Sequence, residues 1–325
     1  MKIDIQKHVG SKELYYIGEL CAKIIQSMQA DGSVYLYTKE AKNGHVNGLF
    51  RLLDELSAYF NWDKKTITIE SGSQIREYSD YNLKFHGFCH PHVHLDTTSQ
   101  IYSWNKEKYY GLFIGRATAV RIHAIHSHKN FKYSNMGLTS FNDDLFNFMV
   151  YPELVEYFLQ SGKTYQQMIS IKPYSDIKDL VKTPNTPMIT PPYNSSKWGT
   201  VYEKIAIEIV CETGTEKDCF DPTEKILRPC YYKRPFLAIG SPGFLAEFRK
   251  LGYKTFEGII PEDYDQLEGI QRVNRVFEIL DQMIENGSID TLLERCNDIL
   301  EHNHRWVIID KQRQIRLENE YKNEH

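Results

Sequence analysis

Lys108-Tyr109-Tyr110-Gly111-Leu112-Phe113-Ile114-Gly115 is an apolar run that stops at a glycine, and Arg116-Ala117-Thr118-Ala119-Val120-Arg121-Ile122-His123-Ala124-Ile125 follows at once. The first run reads as a buried strand and the second as the helix after it. A strand, a tight glycine turn and a helix start leave backbone N–H groups pointing outward, a geometry suited to an anion. This pairing points to an α/β protein, and the flanking sequence repeats it.

Upstream, Leu14, Ile17, Leu20, Cys21, Ile24, Ile25 and Met28 form a helical stripe between Lys12 and Met28. Asp31-Gly32 turns the chain into a short strand, Ser33 to Thr38. Asn43-Gly44 opens a second helix through Val46, Leu49, Leu52, Leu53, Leu56 and Phe60, and Thr66 to Glu70 is a β-branched strand. Strand, helix, strand in that order is a parallel βαβ layer. Downstream, the four prolines between Thr183 and Pro192 mark a loop. Strands follow at Tyr202 to Val210 and Pro235 to Gly240, then a helix from Phe244 to Leu251. Amphipathic patterns run on from Gly269 with a break at Gly287. The organisation expected is an N-terminal domain over 1–104, a second over 105–285 and a helical segment, 286–325, that packs back on them.

The chain has 325 residues, a length for about two domains. With 41% hydrophobic and 25% charged residues it has material for a large core, which excludes a disordered or stapled miniature scaffold. A net charge of −4 argues against a strongly basic nucleic-acid binder. No run approaches a membrane span of about 18 apolar residues, and Met1 to Ile5 lacks the apolar core of a signal peptide. The expected location is the cytoplasm, that of the host if the chain is viral. The six cysteines include no CxxC pair and are expected to be free thiols.

The densest chemistry lies between Ile205 and Asp265. Glu208-Ile209-Val210-Cys211-Glu212 ends a strand on an acid, and after a polar loop comes Thr223-Glu224-Lys225-Ile226-Leu227-Arg228. Thr223 stands where a helix N-cap would, with Glu224 and Lys225 in the first turn. A carboxylate accepts sugar or ribose hydroxyls, while a lysine and a helix N-terminus neutralise a diphosphate.

This stretch resembles the donor-binding segment of α-1,3-fucosyltransferase-type glycosyltransferases. The matching pieces are Val210-Cys211-Glu212, Thr223-Glu224-Lys225 and Arg234-Pro235-Phe236-Leu237-Ala238-Ile239-Gly240-Ser241-Pro242. The continuation through Gly252-Tyr253-Lys254-Thr255-Phe256 and Asp263-Tyr264-Asp265 is similar to glycosyltransferase-like proteins of viruses and phages. The sequence departs from the family at Thr213-Gly214, where an Asn-Ser is usual, and in a longer loop, so fucose is not implied.

The resemblance implies two Rossmann-like domains facing a cleft, a GT-B-like fold with C-terminal helices. It implies a nucleotide-sugar donor as co-substrate and no required cofactor. Lys225 and Arg121 would be the main cations on the diphosphate, supported by Arg116 and Arg228, with Thr223 and Glu224 beside them. Glu212 would hold the donor sugar or ribose, and Asp96 would be the general base, with Glu70 as the fallback. The acceptor expected is a hydroxyl of a glycan or of a hydroxymethylated base in phage DNA. A basic patch of Lys106, Lys108, Lys129, Lys132 and Arg116 could serve a duplex.

A rival reading starts from the histidines. His90, His92 and His94 alternate, so on a strand all three share a face, and His123, His126 and His128 form a second group. Imidazoles so spaced suit zinc, which would make the chain a metal-dependent hydrolase. Those enzymes need further ligands on later strands, and no histidine follows His128 until His302. A non-catalytic nucleotide-sugar or glycan-binding module is the third possibility.

Overall fold

The structure, a computed structural model, describes residues 2–5, 14–38, 43–71, 74–75, 78–85, 101–115, 118–141, 174–175, 198–212, 219–220 and 222–323. It is mixed α/β with parallel sheets. The chain divides into two compact units: Met1–Pro91 with Glu216–Pro222, and His92–Thr215 with Thr223–His325. Among the described residues no helix is long and apolar enough to cross a membrane.

In the first unit, β1 (Lys2–Asp4), α1 (Leu14–Asp31), β2 (Val34–Thr38), α2 (Asn43–Phe60), β3 (Ile67–Ser71) and β4 (Asn82–Phe85) follow in order. The sheet runs β1-β2-β3-β4, all parallel, so every step goes the same way. Right-handed crossovers wound in one direction put α1 and α2 on one face. The core agrees: Leu20, Ile24 and Met28 of α1 and Leu49, Phe50 and Leu53 of α2 bury against Ile3, Val34, Leu36, Ile67 and Ile69. β3 therefore alternates, with Ile67, Ile69 and Ser71 buried and Thr68 and Glu70 only half-buried. The opposite face is polar. The Tyr35 hydroxyl donates to Glu70, Asn82 donates to Thr68 Oγ1 at 2.9 Å, and Lys84 Nζ lies 5.2 Å from the Tyr35 ring centre. A two-residue strand, Cys219–Phe220, joins this unit by antiparallel pairing with Gln74–Ile75.

The second unit is wound differently. It contains β5 (Lys108–Ile114), α3 (Ala119–Asn130), β6 (Gly137–Phe141), α4 (Trp198–Tyr202), β7 (Ile205–Cys211), α5 (Glu224–Tyr231) and β8 (Phe236–Ile239). It continues with α6 (Phe244–Lys250), α7 (Gly269–Glu285) and α8 (Asn297–Asn323). The sheet order is β8-β7-β5-β6, all parallel, with the antiparallel pair Tyr174–Ser175 at the β6 edge. From β5 the chain steps one way to β6 and later the other way to β7 and β8. Right-handed crossovers in opposite directions put α3 and α5 on opposite faces. Accordingly α3 packs against α7, and α5 against α8. A parallel strand covered on both faces has no solvent side, and all seven residues of β7 are buried.

Three details fix this frame. At Gly111 a β-carbon would come within 2.7 Å of the Phe113 ring and of Ile205 Cδ1, so a larger residue there would have to displace both side chains at the β5–β7 contact. Arg234, buried, donates to the carbonyls of Tyr202, Ile205 and Tyr102 at 2.9 Å and pins the start of β7. The side chains of α8 clamp the turn after α6: Trp306 donates to Leu251 O at 2.8 Å, and Asn303 bonds both N and O of Lys254 at 2.8 Å.

Candidate functional site

In an open parallel sheet, the place where the winding reverses leaves a crevice outside the carboxyl ends of the two strands that part there. In the second unit those strands are β5 and β7. Their register pairs Leu112 with Ile209, which carried two residues on sets Ile114 level with Cys211. Of the residues expected to carry chemistry, Arg121, Glu212, Thr223, Glu224 and Lys225 lie at these two strand ends.

On the β5 side the strand stops at Ile114 and α3 begins at Ala119, three residues later than the sequence reading. The delay comes from Thr118, whose side chain accepts from the Arg121 N–H at 3.4 Å and caps the helix. The first turn of α3 carries no acid. Arg121 is 1% exposed and its Nη2 donates to the Cys211 carbonyl at 2.8 Å, tying α3 to the end of β7.

On the β7 side, successive residues alternate between faces, so Glu208, Val210 and Glu212 point together. Glu212 is fully buried. Its carboxylate accepts from the Thr223 N–H at 3.0 Å and from the Thr223 hydroxyl at 2.5 Å. Thr223 caps α5 as the sequence implies, its oxygen accepting from the Lys225 N–H at 3.3 Å. Lys225 Nζ donates to Thr223 Oγ1 at 2.8 Å and lies 3.1 Å from Glu224 and 3.8 Å from Glu212. Burial pushes the Glu224 carboxyl up, but the neighbouring Lys225 and Arg228 outweigh this and hold it below its ordinary value.

Arg228 turns away from the strand end. Its guanidinium meets Glu208 at 3.0 Å and lies over the Trp198 ring, 4.5 Å from the centre. The Tyr202 hydroxyl donates to the other Glu208 oxygen. Burial raises the Glu208 carboxyl above its ordinary value despite Arg228 and Tyr202. Glu208, Trp198 and Tyr202 were not among the residues marked out from sequence. The available signal was an acid at the centre of a seven-residue apolar strand, which must find a buried cation.

Glu212, Thr223, Glu224 and Lys225 thus form one cluster, Arg121 reaches the same strand end, and Arg228 serves Glu208. Asp96, Arg116, His90, His92 and His94 lie outside the described residues. Glu70 lies in β3 of the first unit as partner of Tyr35. His123 Nε2 is 2.8 Å from Asn274 Oδ1 of α7, and His128 Nδ1 is 2.6 Å from the Tyr110 hydroxyl. Among the described residues no group of His, Cys, Asp and Glu is arranged to hold a metal ion. Cys21, Cys211, Cys230 and Cys296 are free, and burial pushes the Cys211 thiol up to about 12, an unreactive state. Of the lysine patch, Lys132 pairs with Asp281 at 3.1 Å and with Glu285, and Lys108 donates to Asn135 O at 2.6 Å.

Comparison with protein-family models, with curated proteins and with solved structures finds no match for this chain.

Proposed function

We propose that the protein is a glycosyltransferase built from two Rossmann-like units, moving a sugar from a nucleoside-diphosphate donor to a hydroxyl of a glycan or of a hydroxymethylated DNA base. The observation that carries this reading is the reversal of winding between β5 and β7, with Arg121, Glu212, Thr223 and Lys225 drawn to the two strand ends there. The resemblance of Thr223-Glu224-Lys225 and its flanking strands to donor-binding segments supports the same assignment.

The chemistry of such a transfer is the departure of a nucleoside diphosphate, whose growing negative charge must meet fixed donors. Lys225 supplies an ammonium held on three neighbours, and the α3 start supplies N–H groups with no acid in the first turn. Glu212 gives both oxygens to Thr223, so its part is to fix the cap and the lysine beside the donor. Acceptor deprotonation falls to Asp96, and Arg116 adds a further cation. The donor is a co-substrate, and no metal or other cofactor enters the reading.

A panel of nucleotide sugars, followed by thermal shift and diphosphate release with and without chelator, tests it. Stabilisation by one donor class that survives chelator supports the transferase. Activity on esters or amides that chelator abolishes would replace it with the metal hydrolase. Donor stabilisation with no transfer to any hydroxyl acceptor leaves a binding module.

A further inference from the structure

We propose that Glu208 is a positioning residue: acting through Arg228, it sets the register of α5 along β7, and so the placement of Thr223 and Lys225 beside Glu212. Its consequence for donor binding rests on the transferase reading, whereas the register itself involves no ligand.

The contacts define a ladder. Lys225 and Arg228, three apart on α5, address Glu212, just past the end of β7, and Glu208 within it, so the helix runs back along its strand. Slipping α5 by one turn, about 5.4 Å, would separate Arg228 from both Glu208 and the Trp198 ring. It would equally take the Thr223 cap away from Glu212.

The backbone of α5 is poorly equipped to hold that position alone. The helix has eight residues, and Pro229 inside it lacks the N–H that would bond to the Lys225 carbonyl. Nor is the cluster an efficient stabiliser. A buried ion pair is commonly matched or bettered by apolar side chains of similar volume. Here Arg228 Nε and Trp198 Nε1, both buried, have no hydrogen-bond partner among the described residues. What the cluster supplies that apolar packing does not is uniqueness. A guanidinium that must meet one carboxylate edge-on and one indole face-on does so in a single register. Trp198 and Tyr202 come from α4, so the same contacts also tie α4 to α5.

The test uses the full chain carrying Glu208→Leu and Arg228→Met together, compared with wild type by thermal melting and by amide hydrogen exchange over residues 222–227 without ligand. The expected result is retained melting with loss of exchange protection at Thr223 and Lys225. Protection retained in the folded double variant overturns the proposal. If the double variant does not fold, Tyr202→Phe, which removes one donor to Glu208 and keeps its ring stacked 4.5 Å from Tyr232, replaces it. Faster exchange at 222–227 with unchanged melting supports the register role, and unchanged exchange overturns it. Donor transfer in the same variants is expected to fall about 10²-fold, the scale of a 1 Å misplacement. A wild-type protein that responds to no nucleotide sugar would sink the transferase reading and leave the exchange result to decide the register.

Discussion

The two units use the same parallel βαβ grammar and differ in where the winding turns. The first steps from β1 to β4 in one direction, covers one sheet face with α1 and α2, and leaves the other lined by Tyr35, Thr68, Glu70, Asn82 and Lys84. The second reverses at β5, buries β7 throughout and brings Arg121 to the end of β7 next to Glu212. Their charges follow the same division. Described ion pairs of the first unit, such as Lys64 with Asp54 at 2.5 Å and Asp80 at 2.7 Å, are solvated. Those of the second include Arg228–Glu208 and Arg272–Asp265, which are buried. Reversal thus covers both faces of β7, and it forces polar groups beneath the helices to find partners without water.

The sharpest way to break this contrast is to remove one cation from each unit. Arg228→Ala leaves the Glu208 carboxylate buried and uncompensated, and should cost about 3–5 kcal/mol in urea unfolding. Lys64→Ala removes a solvated partner and should leave the unfolding midpoint unchanged. Equal effects would show that the burial difference has no energetic meaning.

The next effect separates capping from burial. Thr223→Ala removes the hydroxyl that caps α5 and donates to Glu212, and should cost about 2 kcal/mol, the upper end for an N-cap. If donor binding is also read, it should weaken with the cap. A stability loss with donor affinity intact would detach the cluster from the proposed site. In the first unit, Tyr81→Phe deletes a 2.7 Å bond to Asp54, whose carboxylate stays in contact with water. The expected cost is about 1 kcal/mol, since no buried acceptor is orphaned.

What the sequence disclosed follows from the range of the interactions. Periodicity and capping are local, so the strands at Val34, Ile67, Lys108 and Phe236 and the Thr223 cap could be read directly, while the strand expected from Tyr202 starts only at Ile205 because Tyr202 closes the helix α4. The later start of α3 shows how one local hydroxyl, Thr118, sets a helix boundary that periodicity does not. The partners of Glu212 and Arg228 were not legible in full. Glu212 meets Thr223 only after the chain has passed through Cys219–Phe220, a pairing too short to leave a pattern. Arg228 looked like a ligand cation because its carboxylate lies twenty residues back, in a strand whose facing is fixed only once the sheet order is known. Glu212, Thr223, Glu224 and Lys225 are near one another in the chain and stand out together, whereas the Glu208 partner of Arg228 does not.

The smallest expected effect concerns Glu224 and the direction of its titration. Its carboxyl is held below the ordinary value in the folded chain, so the unfolded chain binds the proton more readily. The stability it contributes is then present above its unfolded pKa and is lost as pH falls through the folded one. Glu208 works in the opposite sense. Its raised value means the folded chain binds the proton more readily, so its contribution declines as pH rises from the ordinary glutamate range to its folded value. The two slopes oppose each other within one cluster. Subtracting the stability of Glu224→Gln from that of wild type isolates the first: the difference should grow as pH rises towards the ordinary glutamate range and stay level above it. A difference that shrinks as pH rises would mean that the pairing with Lys225 and Arg228 fails to overcome burial at the start of α5. The second unit's buried charges would then be a cost that its cations do not offset, and the contrast with the solvated pairs of the first unit would change sign.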